Sequence, residues 1–205
     1  MDESNLLANL LEQKELLNAI INSGISNITV TGTCLEYGLT EGACNEAAAS
    51  GELTTTYARA KLELLDYLKE KNTNYKWVRV FYVYGIGSRP NSLLSQLLTA
   101  IENKLPEFNM SQGDQVRDFI NVHALAQNIL AIAAQDKVTG IINAGSGKPR
   151  TVLEFVQSVL TKKNYDMKLN LGHYPYTNYE PMAFWADITK LKSVNGVNID
   201  DKIAF

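Results

Sequence analysis

An α/β fold built on a parallel sheet is predicted by three features of the sequence. Helical and strand-like patterns alternate through most of its 205 residues. The run Lys76-Trp-Val-Arg-Val-Phe-Tyr-Val-Tyr84 is almost continuously apolar and ends at Gly85, the pattern of a strand covered on both faces. No internal repeat, low-complexity tract or hinge-like linker divides the chain, and its length suits one compact domain, or one with a small annex.

The elements follow in order. Residues 4–23 carry Leu7, Leu10, Leu11, Leu17, Ile20 and Ile21 at helical spacing, with Asp2 or Ser4 to cap the start and Gly24 to stop it. Ile28-Thr29-Val30-Thr31 is β-branched and predicts a buried strand. A loop of about twenty residues then runs to Thr54, a length that is usually functional or disordered. Leu62, Leu65 and Leu68 share one face of a helix over 55–71, and the apolar strand 76–84 follows. Helices are predicted over 92–103, 124–135 and 152–160, with a short strand at 140–143 between the last two. The tail from Lys168 mixes short apolar pieces with turns and ends in a helix near 188–194.

Composition excludes several classes of function. The charge of −3 argues against nucleic acid and anionic membranes, both of which require clustered Lys and Arg. No apolar run reaches the length of a membrane span, and the start is not a basic signal peptide. Two cysteines, Cys34 and Cys44, build no disulfide scaffold and suit a reducing cytoplasm. The two histidines, His123 and His173, stand far apart, so no metal site is expected. A cytoplasmic globular enzyme is the class that remains.

Two glycine motifs fail on inspection. Gly85-Ile-Gly87-Ser-Arg-Pro90 begins like a dinucleotide loop but has Pro90 at its third glycine. Gly145-Ser-Gly147-Lys148 resembles a phosphate loop, yet Pro149 replaces its Ser/Thr and Ile142 its first glycine. The set retained is Thr33, Tyr57 and Lys61. Four residues apart on a helix, Tyr57 and Lys61 share a face, and an ammonium beside a phenol lowers its pKa towards neutrality. Thr33 ends the first strand, at the carboxyl edge where open α/β sheets bind ligands. Taken alone, the pair also fits an exposed Tyr and Lys on a solvated face.

The setting of that pair resembles the extended short-chain dehydrogenase/reductase family of nucleotide-sugar epimerases, dehydratases and ketoreductases. The resemblance runs over nearly the whole chain. Thr31-Gly-Thr33-Cys-Leu-Glu-Tyr37-Gly38 matches the family's Ser/Thr run closing in Tyr-Gly, and Tyr-x-x-x-Lys follows 24 residues after Thr33. Arg79-Val-Phe-Tyr-Val-Tyr84-Gly85 matches its Arg-x-x-x-Val-Tyr-Gly strand, and Arg117-Asp118-Phe-Ile-Asn-Val122 its Arg-Asp-Phe/Tyr-x-x-Val signature. Asn143-Ala-Gly145 and Ala186-Asp187-Ile-Thr-Lys190-Leu complete the series, and Asn9 stands at the family's active-site asparagine.

The resemblance implies a partial Rossmann-like parallel sheet with helices, plus a small α/β substrate-binding subdomain. Residues 1–90 would form the C-terminal part of the NAD(P)-binding domain. Residues 91–205 would be mainly the nucleotide-sugar subdomain, with the strand at 140–143 returning to the sheet. Tyr57 would be the general acid/base, Lys61 would tune it and hold the nicotinamide ribose, and Thr33 would orient the sugar hydroxyl or ketone. Asn9, Tyr57 and Lys61 would contact NAD or NADP. Tyr82, Asn91, Ser92, Arg117 and Asn143 would line the sugar-nucleotide site. The guanidinium of Arg117 suits a diphosphate, although a salt bridge to Asp114 or Asp118 is an alternative, and Asn143 can equally cap a turn.

Cys34 and Leu35 replace the Asp-Glu of 4,6-dehydratases, so the expected reaction is reduction or epimerisation at C4 of a nucleotide diphosphate hexose for surface polysaccharide sugars. The alternative is a catalytically incomplete nucleotide-sugar-binding or interaction module. The family's first strand, its Gly-x-x-Gly-x-x-Gly loop and its acidic ribose ligand have no counterpart in this sequence, which looks like the C-terminal two-thirds of such an enzyme. The strand at 28–31 would then lack a neighbour, and an apolar edge of that kind invites a homodimer.

Overall fold

The computed structural model describes residues 3–71 and 74–199, with side chains described from Ala8 onward. The expected caps Asp2 and Ser4, and the Leu7 side chain, lie outside the described residues. Helix α1 (Glu3–Asn22) leads into strand β1 (Asn27–Thr33), a short 3₁₀ turn (Cys34–Tyr37) and β2 (Gly42–Cys44). Helix α2 (Thr56–Glu70) crosses over to β3 (Asn74–Val80), which is followed by β4 (Tyr82–Tyr84) and α3 (Leu93–Glu102). Strands β5 (Glu107–Asn109) and β6 (Val116–Asn121), helix α4 (Val122–Ala133) and strands β7 (Gly140–Ala144) and β8 (Pro149–Thr151) come next. Helix α5 (Val152–Lys163), β9 (Lys168–Asn170), β10 (Phe184–Ala186) and α6 (Thr189–Lys192) close the order.

The α/β class is as expected, with a parallel three-stranded sheet in the order β1-β3-β7. A second sheet, β4-β6-β8, pairs β4 with β6 in parallel and β6 with β8 antiparallel. Two-stranded parallel pairs join β2 to β10 and β5 to β9. The long apolar run is therefore not one strand. It breaks at Phe81, whose amide donates to the Ala144 carbonyl, so that β3 stays in the first sheet and β4 enters the second. The 28–31 strand is longer than expected and only partly covered: Ile28 is buried, Val30 half-buried and Thr31 exposed.

Each well-formed helix starts where the sequence offers an oxygen for its free amides. Thr55 accepts from the Ala58 amide, Asn121 from His123, and Thr151 from Glu154. Helix α5 ends on Asn164 in the left-handed region (φ 47°), after Lys162 and Lys163 have placed positive charge at the carboxyl end.

Three apolar clusters result. Leu10 and Leu17 of α1 pack with Leu64, Leu65, Leu68 and Trp77 on one side of the first sheet. A central cluster around Tyr37, Val78, Phe81, Ile142 and Phe184 fills the other side. The third, under the second sheet, stacks Phe119 on Phe155 with ring centroids 4.2 Å apart.

Candidate active site

Thr33, Tyr57 and Lys61 sit around the carboxyl end of the first sheet. Thr33 closes β1 in register with Val80 of β3. Tyr57 lies in the first turn of α2 and is 37% exposed. One turn on, Lys61 donates from Nζ to the Thr31 carbonyl at 3.0 Å and lies 6.0 Å from the Trp77 ring.

The electrostatics differ from the sequence expectation. Burial, followed by the charges of Glu36 and Cys34, pushes the Tyr57 phenol up from its ordinary value, while Arg89 pulls it down. Lys61 is held below its own ordinary value by burial, with Glu36 opposing. The reason is geometric: the ammonium is turned onto a strand carbonyl, and the first charge acting on the phenol is a buried carboxylate.

That carboxylate organises the turn. Glu36 Oε1 accepts from the Thr33 amide at 2.7 Å, Oε2 accepts from Arg79 Nε at 2.7 Å, and the Trp77 indole donates to both oxygens. Thr33 Oγ1 in turn accepts from the Leu35 amide at 3.3 Å, completing a capping box. One lone pair of the Thr33 hydroxyl is thereby occupied, and its proton is free to point at a ligand oxygen. Sequence reasoning passed over Glu36, Trp77 and Arg79, although the spacing Thr33-x-x-Glu36 carries the capping-box signal.

Gly32 is part of the same construction, because a Cβ there would overlap Trp77 Nε1 and the Glu36 carboxylate. Gly32→Ala is expected to destabilise the fold by about 1–3 kcal/mol, the usual range for overpacking. Urea unfolding checks this, and an unchanged midpoint would show that the strand end can relax.

The second half of the site is a cleft of about 440 Å³ walled by Tyr82, Ser88, Asn91, Ser92, Arg117, Phe119, Tyr179 and Glu180, among others. A neighbouring hollow of about 320 Å³ shares Asn91, Gln115, Tyr179 and Glu180 with it. Arg117 is buried between the Tyr82 ring (5.4 Å) and the Phe184 ring (5.1 Å). Its Nη1 donates to the Val116 and Met182 carbonyls, and its Nη2 pairs with Glu180 Oε2 at 2.9 Å.

Neither acidic residue named from the sequence pairs with Arg117. Asp118 instead accepts from the amides of Ser146, Gly147 and Ala186, and Asp114 accepts from the Tyr176 hydroxyl. Tyr82 Oη is buried without a hydrogen-bond partner among the described residues.

The remaining expected residues divide. Asn91 is exposed on the cleft wall, but the Ser92 hydroxyl is taken up by the start of α3, accepting from the Ser95 amide and donating to Ser95 Oγ. Asn143 is a correction. It is fully buried: its Oδ1 accepts from the Tyr37 hydroxyl at 2.8 Å, and its Nδ2 donates to the Cys44 and Asp187 carbonyls. Those bonds tie β7 to the loops beside it and leave nothing for substrate. Asn9 is exposed on α1 and lines neither cleft.

Cys34 is coupled electrostatically to both halves. Burial first, and then Glu180, raises the Cys34 thiol, which Arg117 lowers; Cys34 in turn raises the Tyr57 phenol. A second tie links Thr54, three residues before Tyr57, to the cleft wall, where its hydroxyl donates to the Tyr179 carbonyl at 2.6 Å.

Comparison with known proteins gives consistent results. The dTDP-6-deoxy-L-talose 4-dehydrogenase (NAD(+)) of Aggregatibacter actinomycetemcomitans is 26% identical over 185 residues, covering 87% of this chain and 67% of that protein. The UDP-glucuronate 4-epimerase of Thermodesulfobacterium geofontis is 25% identical, over 91% of this chain and 58% of its own. The chain thus spans about two thirds or less of the curated relatives it matches. The fold is shared with the UDP-N-acetylglucosamine 4-epimerase of Methanobrevibacter ruminantium, solved in complex with UDP-N-acetylmuramic acid (TM-score 0.78, 23% identity, 89% of this chain and 61% of that one). It is shared too with an NAD-dependent NDP-hexosamine 5,6-dehydratase of tunicamycin biosynthesis (TM-score 0.82, 22% identity, 98% and 68%). A family model accounts for residues 2–145, the stretch that holds Thr33, Tyr57, Lys61 and Arg117, and by that match the chain belongs to the NAD-dependent epimerase/dehydratase family.

Proposed function

We propose that the chain carries the proton-transfer and sugar-nucleotide side of an NAD(P)-dependent oxidoreductase acting at C4 of a nucleotide diphosphate hexose, as a 4-ketoreductase or epimerase. The observation that carries this reading is the hydrogen bond from Thr54, three residues before Tyr57, to the carbonyl of Tyr179 on the wall of the Arg117 cleft. A phosphate at Arg117 would leave the attached sugar reaching towards Thr33 and Tyr57. The relatives support the same chemistry, since two curated ones are a 4-dehydrogenase and a 4-epimerase of nucleotide sugars.

The residues present fit a nicotinamide cofactor. Lys61 and Tyr57 stand at the carboxyl edge of a parallel sheet, where such folds receive dinucleotides, and Tyr57 remains partly open to solvent. NAD(P), when bound, supplies or accepts the hydride. Tyr57 holds the proton that accompanies it: its raised phenol stays neutral at pH 7 and can pass that proton to an alkoxide as the hydride arrives. Thr33 orients the same oxygen with its free proton, and Tyr82 Oη offers a further donor within the cleft. Asn91 borders the diphosphate, residues 1–90 and 91–205 divide cofactor-side from sugar-side work, and a homodimer would cover the edge of β1. No helix among the described residues is long and apolar enough to cross a membrane.

Arg117→Ala is expected to weaken binding of a UDP-hexose by about 1.5–3 kcal/mol, the range for a hydrogen bond to a charged group. Calorimetry with the purified chain tests it, and equal affinities would return Arg117 to a purely structural role. Binding without any consumption of NAD(P)H on a 4-keto sugar nucleotide would favour the second reading, a nucleotide-sugar-binding module.

A further inference from the structure

Both terminal nitrogens of Arg117 are already engaged within the protein. Its Nη1 is committed to two backbone carbonyls, its faces are covered by Tyr82 and Phe184, and its Nη2 meets the Glu180 carboxylate at 2.9 Å. Glu180 belongs to no helix or strand. It rides on the irregular stretch 171–183, which carries the exposed side chains Tyr174, Tyr176, Tyr179 and Met182. The stretch is fastened at its ends, where the His173 amide donates to the Met110 carbonyl and the Gly42 amide to that of Ala183. Between those points it is held by the Glu180 carboxylate and the Met182 carbonyl, both on Arg117, by the Tyr179 carbonyl on Thr54 and by the Tyr176 hydroxyl on Asp114.

We propose that Glu180 is a built-in competitor for the anion subsite, a carboxylate latch that a ligand phosphate must displace from Arg117 to enter. The inference rests on the reading of the cleft as a sugar-nucleotide site. Nη2 has two N–H groups, and the carboxylate holds one of them, so a phosphate that takes this nitrogen with both must displace Glu180. The latch leaves the guanidinium paired when no ligand is bound, where a buried unpaired cation would be costly. It also sets selectivity. With Glu180 still lining the cleft after displacement, a ligand of high negative charge is repelled, and one whose phosphates are esterified on both sides is favoured over the more highly charged UDP.

The test is calorimetry of the full chain with UDP and, separately, UDP-glucose. Glu180→Gln keeps the size and removes the competing charge. Glu180→Asp keeps the charge and withdraws it from contact. Both variants are expected to bind UDP about tenfold more tightly than the parent, a change equivalent to about 1.4 kcal/mol. Glu180→Gln should also narrow the preference for UDP-glucose, esterified on both sides, over the more highly charged UDP, and adding Arg117→Ala should abolish the gain. If Glu180→Gln gains affinity and Glu180→Asp does not, the effect is through-space repulsion and the latch is wrong. If neither variant differs from the parent while Arg117→Ala weakens UDP, the latch fails and the site reading stands. If no form binds UDP, both fall. Matching thermal melts of the variants establish that each is folded.

Discussion

Tyr57→Phe is expected to lower turnover by about 10²–10⁴-fold, the usual contribution of a positioned acid–base group. The affinity for a nucleotide sugar should stay within a few-fold. The change removes a single oxygen from the first turn of α2, and that turn is capped by Thr55, not by Tyr57, so the fold loses nothing it depends on. The raised phenol adds a direction to the pH profile. Tyr57 is protonated below its elevated pKa, so reduction should persist as the medium becomes alkaline and fall only above the ordinary tyrosine range. The assay is NAD(P)H oxidation in the presence of a 4-keto nucleotide sugar. Unchanged turnover in the variant would remove Tyr57 from the mechanism.

The second large effect concerns stability. Glu36→Ala is expected to cost about 3–5 kcal/mol, the range for removing one partner of a buried ion pair. The loss strands the Arg79 guanidinium, whose Nη1 already lacks a partner, and frees the Thr33 amide and the Trp77 indole. Unfolding in urea followed by tryptophan fluorescence reads both the midpoint and the environment of Trp77. A double change, Glu36→Met with Arg79→Met, should recover much of the loss, because two apolar groups leave no charge behind. A single variant as stable as the parent would mean that water reaches the pair.

The sequence makes the alternation of elements legible because α2, α3, α4 and α5 each have their own cap and their own apolar face, both local properties. Helices α2, α3, α4 and α5 fall within a few residues of where periodicity puts them. The short strands are different. Residues 116–121 read as a ligand signature and prove also to be β6, the centre of the second sheet, and β2, β5, β8, β9 and β10 are three residues each. Strands so short are defined by their partners, and no partner is visible in a linear pattern. The break at Phe81 escapes for the same reason: hydropathy is continuous across it, and only the divergence of two sheets makes it a boundary.

The site divides along that line as well. The spacing of Tyr57 and Lys61 is a property of one helix. What each residue touches is set by distant chain, as when Glu180 reaches Arg117 across 63 positions of sequence. Asn143 shows the converse, a residue that looks like a ligand contact until its three bonds to the protein are counted.

The order β1-β3-β7 draws the third strand of the first sheet from beyond the second one. The two sheets are therefore laced together and not strung like beads. Severing the exposed turn at 86–90 would leave the pieces clasped by the β3–β7 pairing and by Asn143, much as split proteins reassemble from complementary fragments. Producing residues 1–90 by themselves would bare the edge of β3 that pairs with β7 and the face where Val78 clusters with Ile142 and Phe184. That pairing couples the two sheets, so a change in the second one is felt as stability by the first.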